Sequence, residues 1–361
     1  LKKLLYHFKK YLPFSFEKIY ESFGVTKFII PNLNINSTKL EKVSKLQKRI
    51  YSKKDLINFS IDGIEIGDLI YDSYLKTYSK PTIDLKSKEF RDHFFKFINL
   101  YFYWKNYFKS NKVRCVIISH QVYEFGLVAR IAISKKILCL HTALSFLFKP
   151  TKIKSSLHYD MKNFKKNYKK FFLKKQKKYL LLGNKFLKNK FRKSNNFDPT
   201  VTSRGFVDSF NQNKIKIKKK NKIKVLIASH CLSDAPHVFG KFIFNDIYEW
   251  LEYLFNLSKK TNYEWYLKIH PHEYKKDFNL IKKLTEKYQH IKILDQSINN
   301  NDILNMGISH VLSVYGTIGY EYAYFGVPTI YATKNNPFDS FNFSLNVKNK
   351  KEFEKILLSL K

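Results

Sequence analysis

The chain is poor in acid, in cysteine and in long apolar runs, and each shortage closes off a class. Twenty-nine Asp and Glu face 67 Lys and Arg in 361 residues, a formal net charge of +38, so an anionic partner is the first expectation. Only three cysteines occur, Cys115, Cys139 and Cys231, widely spaced and without a CxxC pair. Neither a zinc site nor a disulfide framework is expected, and a reducing cytoplasm fits. No apolar run reaches the roughly 18–20 residues that span a bilayer. The chain opens at Leu1 without the basic and apolar regions of a signal peptide. No repeat of 20–50 residues is evident. No RRM, KH, helix-turn-helix or zinc signature accompanies the positive charge, so specific nucleic-acid binding is not expected.

What is present is ample for buried cores: 44% of residues are hydrophobic and 17% aromatic, and 361 residues suit two domains of about 150–200 residues each. The charge has two readings of equal weight. One is an anionic partner, such as a membrane surface or a phosphate-bearing substrate. The other is codon bias in a chain dominated by Lys, Asn, Ile, Phe and Tyr.

Residues 310–332, HVLSVYGTIGYEYAYFGVPTIYA, organise the second half. They read as a strand to Val314, a turn carrying Gly316, Thr317 and Gly319, a helix from Ile318 to Phe325, and a strand from Thr329 to Ala332. Gly326 sits where a helix C-cap needs positive φ, and Pro328 stops the helix. The turn is expected to leave backbone N–H groups free at a helix N-terminus, a phosphate site, with Glu321 one turn further for sugar or ribose hydroxyls. An ordinary packed β-α-β turn is the competing reading.

From Ile223 strands alternate with helices: strands at 224–229, 265–269 and 291–294, helices at 241–257, 275–288, 302–306 and 352–360. This pattern predicts a parallel sheet. Three loops then fall at strand C-termini on one edge: Ser229, His230 and Asp234 in the first, Lys268, His270, Pro271 and His272 in the second, Ser313 to Glu321 in the third. Ligands bind at that edge in open α/β sheets.

The first half reads less regularly. A strand is expected at 25–31, and Asp62–Gly63 as a turn. Glu65, Asp68 and Asp72 stand three and four apart, near one face if that segment is helical. Residues 88–110 suit a buried aromatic helix. Residues 113–119, 126–134 and 137–141 form a βαβ unit whose loop presents His120, Tyr123 and Glu124. Residues 160–193 carry 13 lysines and one arginine among interleaved apolar residues, a solvated helix face or an anionic-lipid surface. Residues 211–222 look like a linker.

Lys-x-His-Pro at 268–271, Ser313, the GTxGxE turn at 316–321 and GVPTI at 326–330 resemble the donor half of GT-B-fold glycosyltransferases, the bacterial capsule and surface polysaccharide proteins above all, a group that includes Kdo transferases. The likeness covers 223–332; the first half matches loosely, through the stretch around Asp68 and the His120 loop. The resemblance implies an α/β fold of two Rossmann-like domains facing a cleft (GT-B-like). It implies an acceptor-binding domain at 1–210, a nucleotide-sugar-binding domain at 223–335 and a closing helical segment at 336–361. Donor contacts would come from Ser229, His230, Asp234, Lys268, His270, Pro271, Ser313, Gly316, Thr317, Gly319 and Glu321. Catalytic work would fall to Asp68, His120 or Glu124. No metal and no cofactor are expected. The donor is a CMP-linked sugar as first guess and the acceptor a glycan, with an anionic membrane surface as further partner. A CDP-polyol phosphotransferase of teichoic-acid type and a non-enzymatic polyanion-binding protein are the alternatives.

Overall fold

The computed structural model describes residues 15–31, 33, 37–143, 146–150, 164–191, 222–238, 242–271, 273–295, 298–334 and 341–361. His272 and the linker at 211–221 lie outside them. In chain order come α1 (Phe16–Ser22), α2 (Ser37–Gln47), α3 (Lys53–Ile57), β1 (Ser60–Ile61), β2 (Ile64–Glu65), α4 (Gly67–Tyr78), α5 (Lys88–Ser110), β3 (Cys115–Ile118), α6 (Tyr123–Ser134), β4 (Leu138–Ala143) and β5 (Phe146–Phe148). Two lysine-rich helices follow, α7 (Phe164–Lys169) and α8 (Leu173–Phe191). The second unit runs β6 (Lys224–Ala228), α9 (Ile247–Ser258), β7 (Glu264–Lys268), α10 (Lys275–Glu286), β8 (Ile291–Ile293), α11 (Asn300–Asn305), β9 (His310–Ser313), α12 (Ile318–Ala323), β10 (Thr329–Tyr331), β11 (Ser344–Asn346) and α13 (Lys350–Leu358).

The second unit is a six-stranded parallel sheet in the order β11-β10-β9-β6-β7-β8. All five residues of β6 are buried. Its side chains alternate: Val225 and Ile227 join Trp265, Leu267 and Leu312 on one face, Leu226 and Ala228 join Tyr266 and Val311 on the other. Period two and burial on both sides are what a covered parallel strand requires. The chain starts in mid-sheet at β6, steps outward to β8, then returns to β6's other side as β9. Strand direction of travel therefore reverses between β6 and β9, the switch point at which doubly wound sheets open a crevice. The closing segment does more than add a helix: β11 extends the sheet beside β10, and Phe353 and Leu357 of α13 enter its core.

The first unit is mainly helical around a small sheet, β3 parallel to β4 and β4 antiparallel to β5. Ser87 caps α5 by accepting the Phe90 amide, and Phe90, Phe94, Phe97 and Tyr101 recur at helical spacing on its buried face. They pack on Leu69 and Ile70 of α4 and Leu127 and Ile131 of α6. The fold is α/β, two units facing a cleft.

Three expectations of local structure fail. Residues 25–31 form no strand; Phe28 and Ile30 are exposed, and no described neighbour pairs with them. The helix expected from 241 begins at Ile247, because Asp246 caps it and Phe242 is held in a bridge to Thr333. Glu65 leaves the helical face it was assigned, since it lies in β2 while Asp68 and Asp72 lie on α4. No helix among the described residues is long and apolar enough to cross a membrane.

Candidate functional site

A cavity of about 660 Å³ lies between the units at the C-terminal edge of the large sheet. The loop after β6 supplies Ser229, His230, Asp234, Ala235 and Val238. The β7 end and loop give Lys268, Ile269, His270 and Pro271; the β9 end and loop give Ser313, Tyr315, Gly316 and Thr317. Glu321 and Asn300 complete that wall, and Lys76, His120, Val122 and Tyr123 come from the first unit.

The large-sheet wall is knitted by hydrogen bonds. His230 Nε2 lies 3.2 Å from Ser313 Oγ, and Ser313 Oγ also accepts the Gly316 amide at 3.2 Å. Ser229 Oγ accepts the His270 amide at 3.2 Å, and Cys231 Sγ lies 3.2 Å from His270 Nδ1. The His230 ring leans on Tyr315, centroids 4.5 Å apart, and the Tyr315 hydroxyl donates to the Ala235 carbonyl at 2.9 Å. Burial, with the His270 charge beside it, pushes the His230 imidazole down to about 3. It is therefore neutral at physiological pH, a hydrogen-bonding group and not a cation. Burial likewise pushes the Cys231 thiol up to about 12, so it is no thiolate nucleophile.

Lys268 is the buried cation. Its Nζ donates to the Ile298 carbonyl at 3.0 Å and to Asn300 Oδ1 at 2.6 Å. Burial draws it down to about 8, against the opposing pull of Glu321, so the amine still carries charge at neutral pH. Glu321 is itself buried, on the first turn of α12.

The turn before α12 departs from expectation. Its amides are not all free: Gly316 N–H goes to Ser313 Oγ and Gly319 N–H to the Gly316 carbonyl, 3.1 Å. The helix is six residues long, so its dipole is short. Gly319 does not line the cavity. A Cβ there would stand 1.8 Å from the Tyr331 hydroxyl and 2.9 Å from Thr329 Cγ2, so the position serves close helix–strand packing. Gly326 has the expected positive φ, 81°.

The other ten donor-side residues named from sequence line the cavity together. Of the three named for catalysis only His120 does. Asp68 is buried in a bidentate pair with Arg130, Oδ1–Nη1 2.6 Å and Oδ2–Nη2 2.7 Å, which joins α4 to α6. That geometry holds two helices together and points no oxygen into the cleft. Glu124 is exposed on the first turn of α6, outside the lining.

Sequence reasoning missed how the cleft is tied shut. Asp72 on α4 accepts from His237 on the β6 loop, 2.6 Å to Nδ1 and 3.3 Å to the amide. Burial raises the Asp72 carboxyl to about 6 against the His237 charge; burial would lower His237, but Asp72 outweighs it and the imidazole is raised. Tyr123 donates to Asp234 Oδ1 at 2.8 Å and has φ of 56°, a left-handed conformation that costs a bulky residue of order 1–3 kcal/mol. Asn300 was findable, since it follows β8 on the same edge; Lys76 gave no signal.

No protein-family model matches the chain, and no curated protein matches it. Solved structures share its general form. The UDP-GlcNAc 2-epimerase of Methanocaldococcus jannaschii, in complex with UDP-GlcNAc and UDP, is 15% identical over 74% of this chain and 75% of that chain, TM-score 0.31. The Neisseria meningitidis UDP-GlcNAc 2-epimerase is 12% identical over 72% and 70%, TM-score 0.33. A putative UDP-N-acetylglucosamine 2-epimerase of Listeria monocytogenes is 10% identical over 73% and 69%, TM-score 0.30. Likeness at this level does not extend to chemistry.

Proposed function

We propose that the chain binds a nucleotide-activated sugar in the cleft and transfers the sugar to a glycan or lipid-linked acceptor. The observation that carries this is the cavity at the β6/β9 switch point, lined by three strand-end loops of one unit and by the first unit opposite. About 660 Å³ suits a ligand of nucleotide-sugar size. Lys268 supplies the charge for a diphosphate or phosphate. Ser229, Ser313 and the neutral His230 supply hydrogen-bonding groups beside His270, and Glu321 accepts from hydroxyls. Stabilising a leaving phosphate with a buried cation and fixed dipoles requires no reorganisation at the moment of bond breaking. His120, opposite, is the candidate for acid–base work on the acceptor. The nucleotide is CMP as first guess, with a Kdo-like sugar as first donor to try and a surface polysaccharide as first acceptor class.

The test is a thermal-shift screen of CMP, CDP, UDP, GDP and ADP against the wild type, Lys268→Met and His270→Ala. A nucleotide at 100 times its Kd stabilises by about 2.7 kcal/mol, and Lys268→Met is expected to abolish that shift. Affinity for the same nucleotide is expected to fall as pH rises through about 8, where Lys268 loses its proton. Product analysis on the matching donor then separates reactions. Sugar on the acceptor with free nucleotide supports transfer. A polyol phosphate on the acceptor means the CDP-polyol reaction. An inverted sugar still on its nucleotide means epimerisation, the reaction type in the names of the similar structures. No shift with any nucleotide overturns the proposal.

A further inference from the structure

Helix α8 stands apart from both cores. All of residues 173–188 are exposed except Gln176 and Leu187, which are half-buried. A solitary helix of 19 residues is marginal in water, and packing of its apolar face is what ordinarily sustains it. Among the described residues that face meets only the neighbouring turn, where Phe171 lies 5.6 Å from Tyr179. Leu173, Tyr179, Leu180 and Phe186 recur at six- and seven-residue intervals, one side of a helix, and are 74%, 42%, 58% and 43% exposed. The opposite side carries Lys174, Lys177, Lys178, Lys185 and Lys188. Residues 164–191 hold 11 lysines and no acid.

The partner of such a helix must be apolar beneath and anionic above. Nucleic acid meets the second need only, since it would leave Leu173 and Leu180 in water and gains nothing from aliphatic side chains. A bilayer interface meets both: the apolar face enters the acyl boundary while the lysines reach headgroup phosphates. We propose that α8, with the lysines of α7 beside it, is the surface by which this protein docks on an anionic lipid bilayer. The inference stands on the exposure and charge of this helix, independently of the ligand assigned to the cleft.

The test is sedimentation of the full chain with vesicles of phosphatidylcholine alone or mixed with phosphatidylglycerol. The wild type is expected to sediment with the mixed vesicles and to stay in solution with the neutral ones. Replacing Lys174, Lys175, Lys177 and Lys178 together by Gln should weaken binding roughly 10³-fold, about fivefold for each lysine near the surface. Leu173→Gln with Leu180→Gln should weaken it at least about tenfold while leaving the melting temperature without vesicles unchanged, because both side chains are exposed. Three outcomes overturn the proposal: wild type that ignores anionic vesicles; a leucine variant that binds as tightly as wild type, with polyuridylate displacing both, which marks a general polyanion surface; or a leucine variant that melts well below wild type without lipid, which means the chain itself already covers this face.

Discussion

The two walls of the cavity are made in different ways. On the large-sheet side the polar groups hang from strand ends and bond one another: Ser313 holds His230 and Gly316, and Ser229 holds His270. On the other side four residues contribute, and one of them, Tyr123, sits in a strained backbone and reaches across to Asp234. A wall fixed before the ligand arrives suits binding; a thin wall on a helix start and a helix end suits adjustment to a second substrate. The difference teaches where to expect tolerance. Changes to the sheet side should cost affinity or folding, and changes to the opposite side should cost turnover or specificity.

The contrast can be broken most severely through the first unit's support. Arg130→Ala strands the buried Asp68 carboxylate, and a loss of about 3–5 kcal/mol is expected in denaturant unfolding. Asp68→Leu with Arg130→Met should recover most of it; no loss in the single variant would mean that the pair does not hold α4 to α6. On the sheet side, Gly319→Ala drives a methyl into Tyr331 and should cost about 1–3 kcal/mol, read as a lower melting temperature. An unchanged melt would show that α12 can lift off β10, and the sheet-side wall would then be the adaptable one.

A smaller effect lies in pH. His237 has its pKa raised above the ordinary value of 6.5, so its contribution is full below 6.5 and is lost as pH climbs through the raised value. Asp72, raised from 3.8 to about 6, works in the same direction: the folded state holds its proton more tightly, and the gain fades between about 4 and 6. Stability is thus expected to decline with rising pH across this range. Asp72→Asn with His237→Gln should flatten the slope, and an unaltered slope would put its origin elsewhere. Smallest of all, Tyr123→Phe removes one hydrogen bond to Asp234, about 1 kcal/mol, with folding intact and catalysis changed more than nucleotide affinity. If affinity falls instead, the two walls are not divided in the way described.

Much of the sheet side was legible in sequence because its logic is local. Apolar runs such as Val225–Ile227 mark parallel strands, parallel strands put their ends on one edge, and Ser229, Lys268, His270 and Ser313 follow. What resisted reading was set by distance along the chain. Asp68 and Asp72 have matching helical spacing, yet one partner is Arg130 and the other His237, 165 residues away; nothing local distinguishes a structural carboxylate from a working one. Gly319 fits a phosphate turn as well as a packing contact until Tyr331 is placed above it. β11 is three residues long and owes its pairing to β10, not to its own composition.

Asp246 is a single carboxylate shared by both halves. One oxygen accepts the Glu249 amide at 2.8 Å and starts α9; the other accepts Tyr71 at 2.6 Å, together with Thr82 and Lys53. A helix of one unit is thus begun by an atom group that the other unit helps to neutralise. Separating the halves would strip Asp246 of its Tyr71, Thr82 and Lys53 partners, so the two sides of the cleft are pinned at this corner. Heat should find the same joint: with α9 dependent on hydroxyls from across the boundary, the two halves are expected to melt in one calorimetric transition.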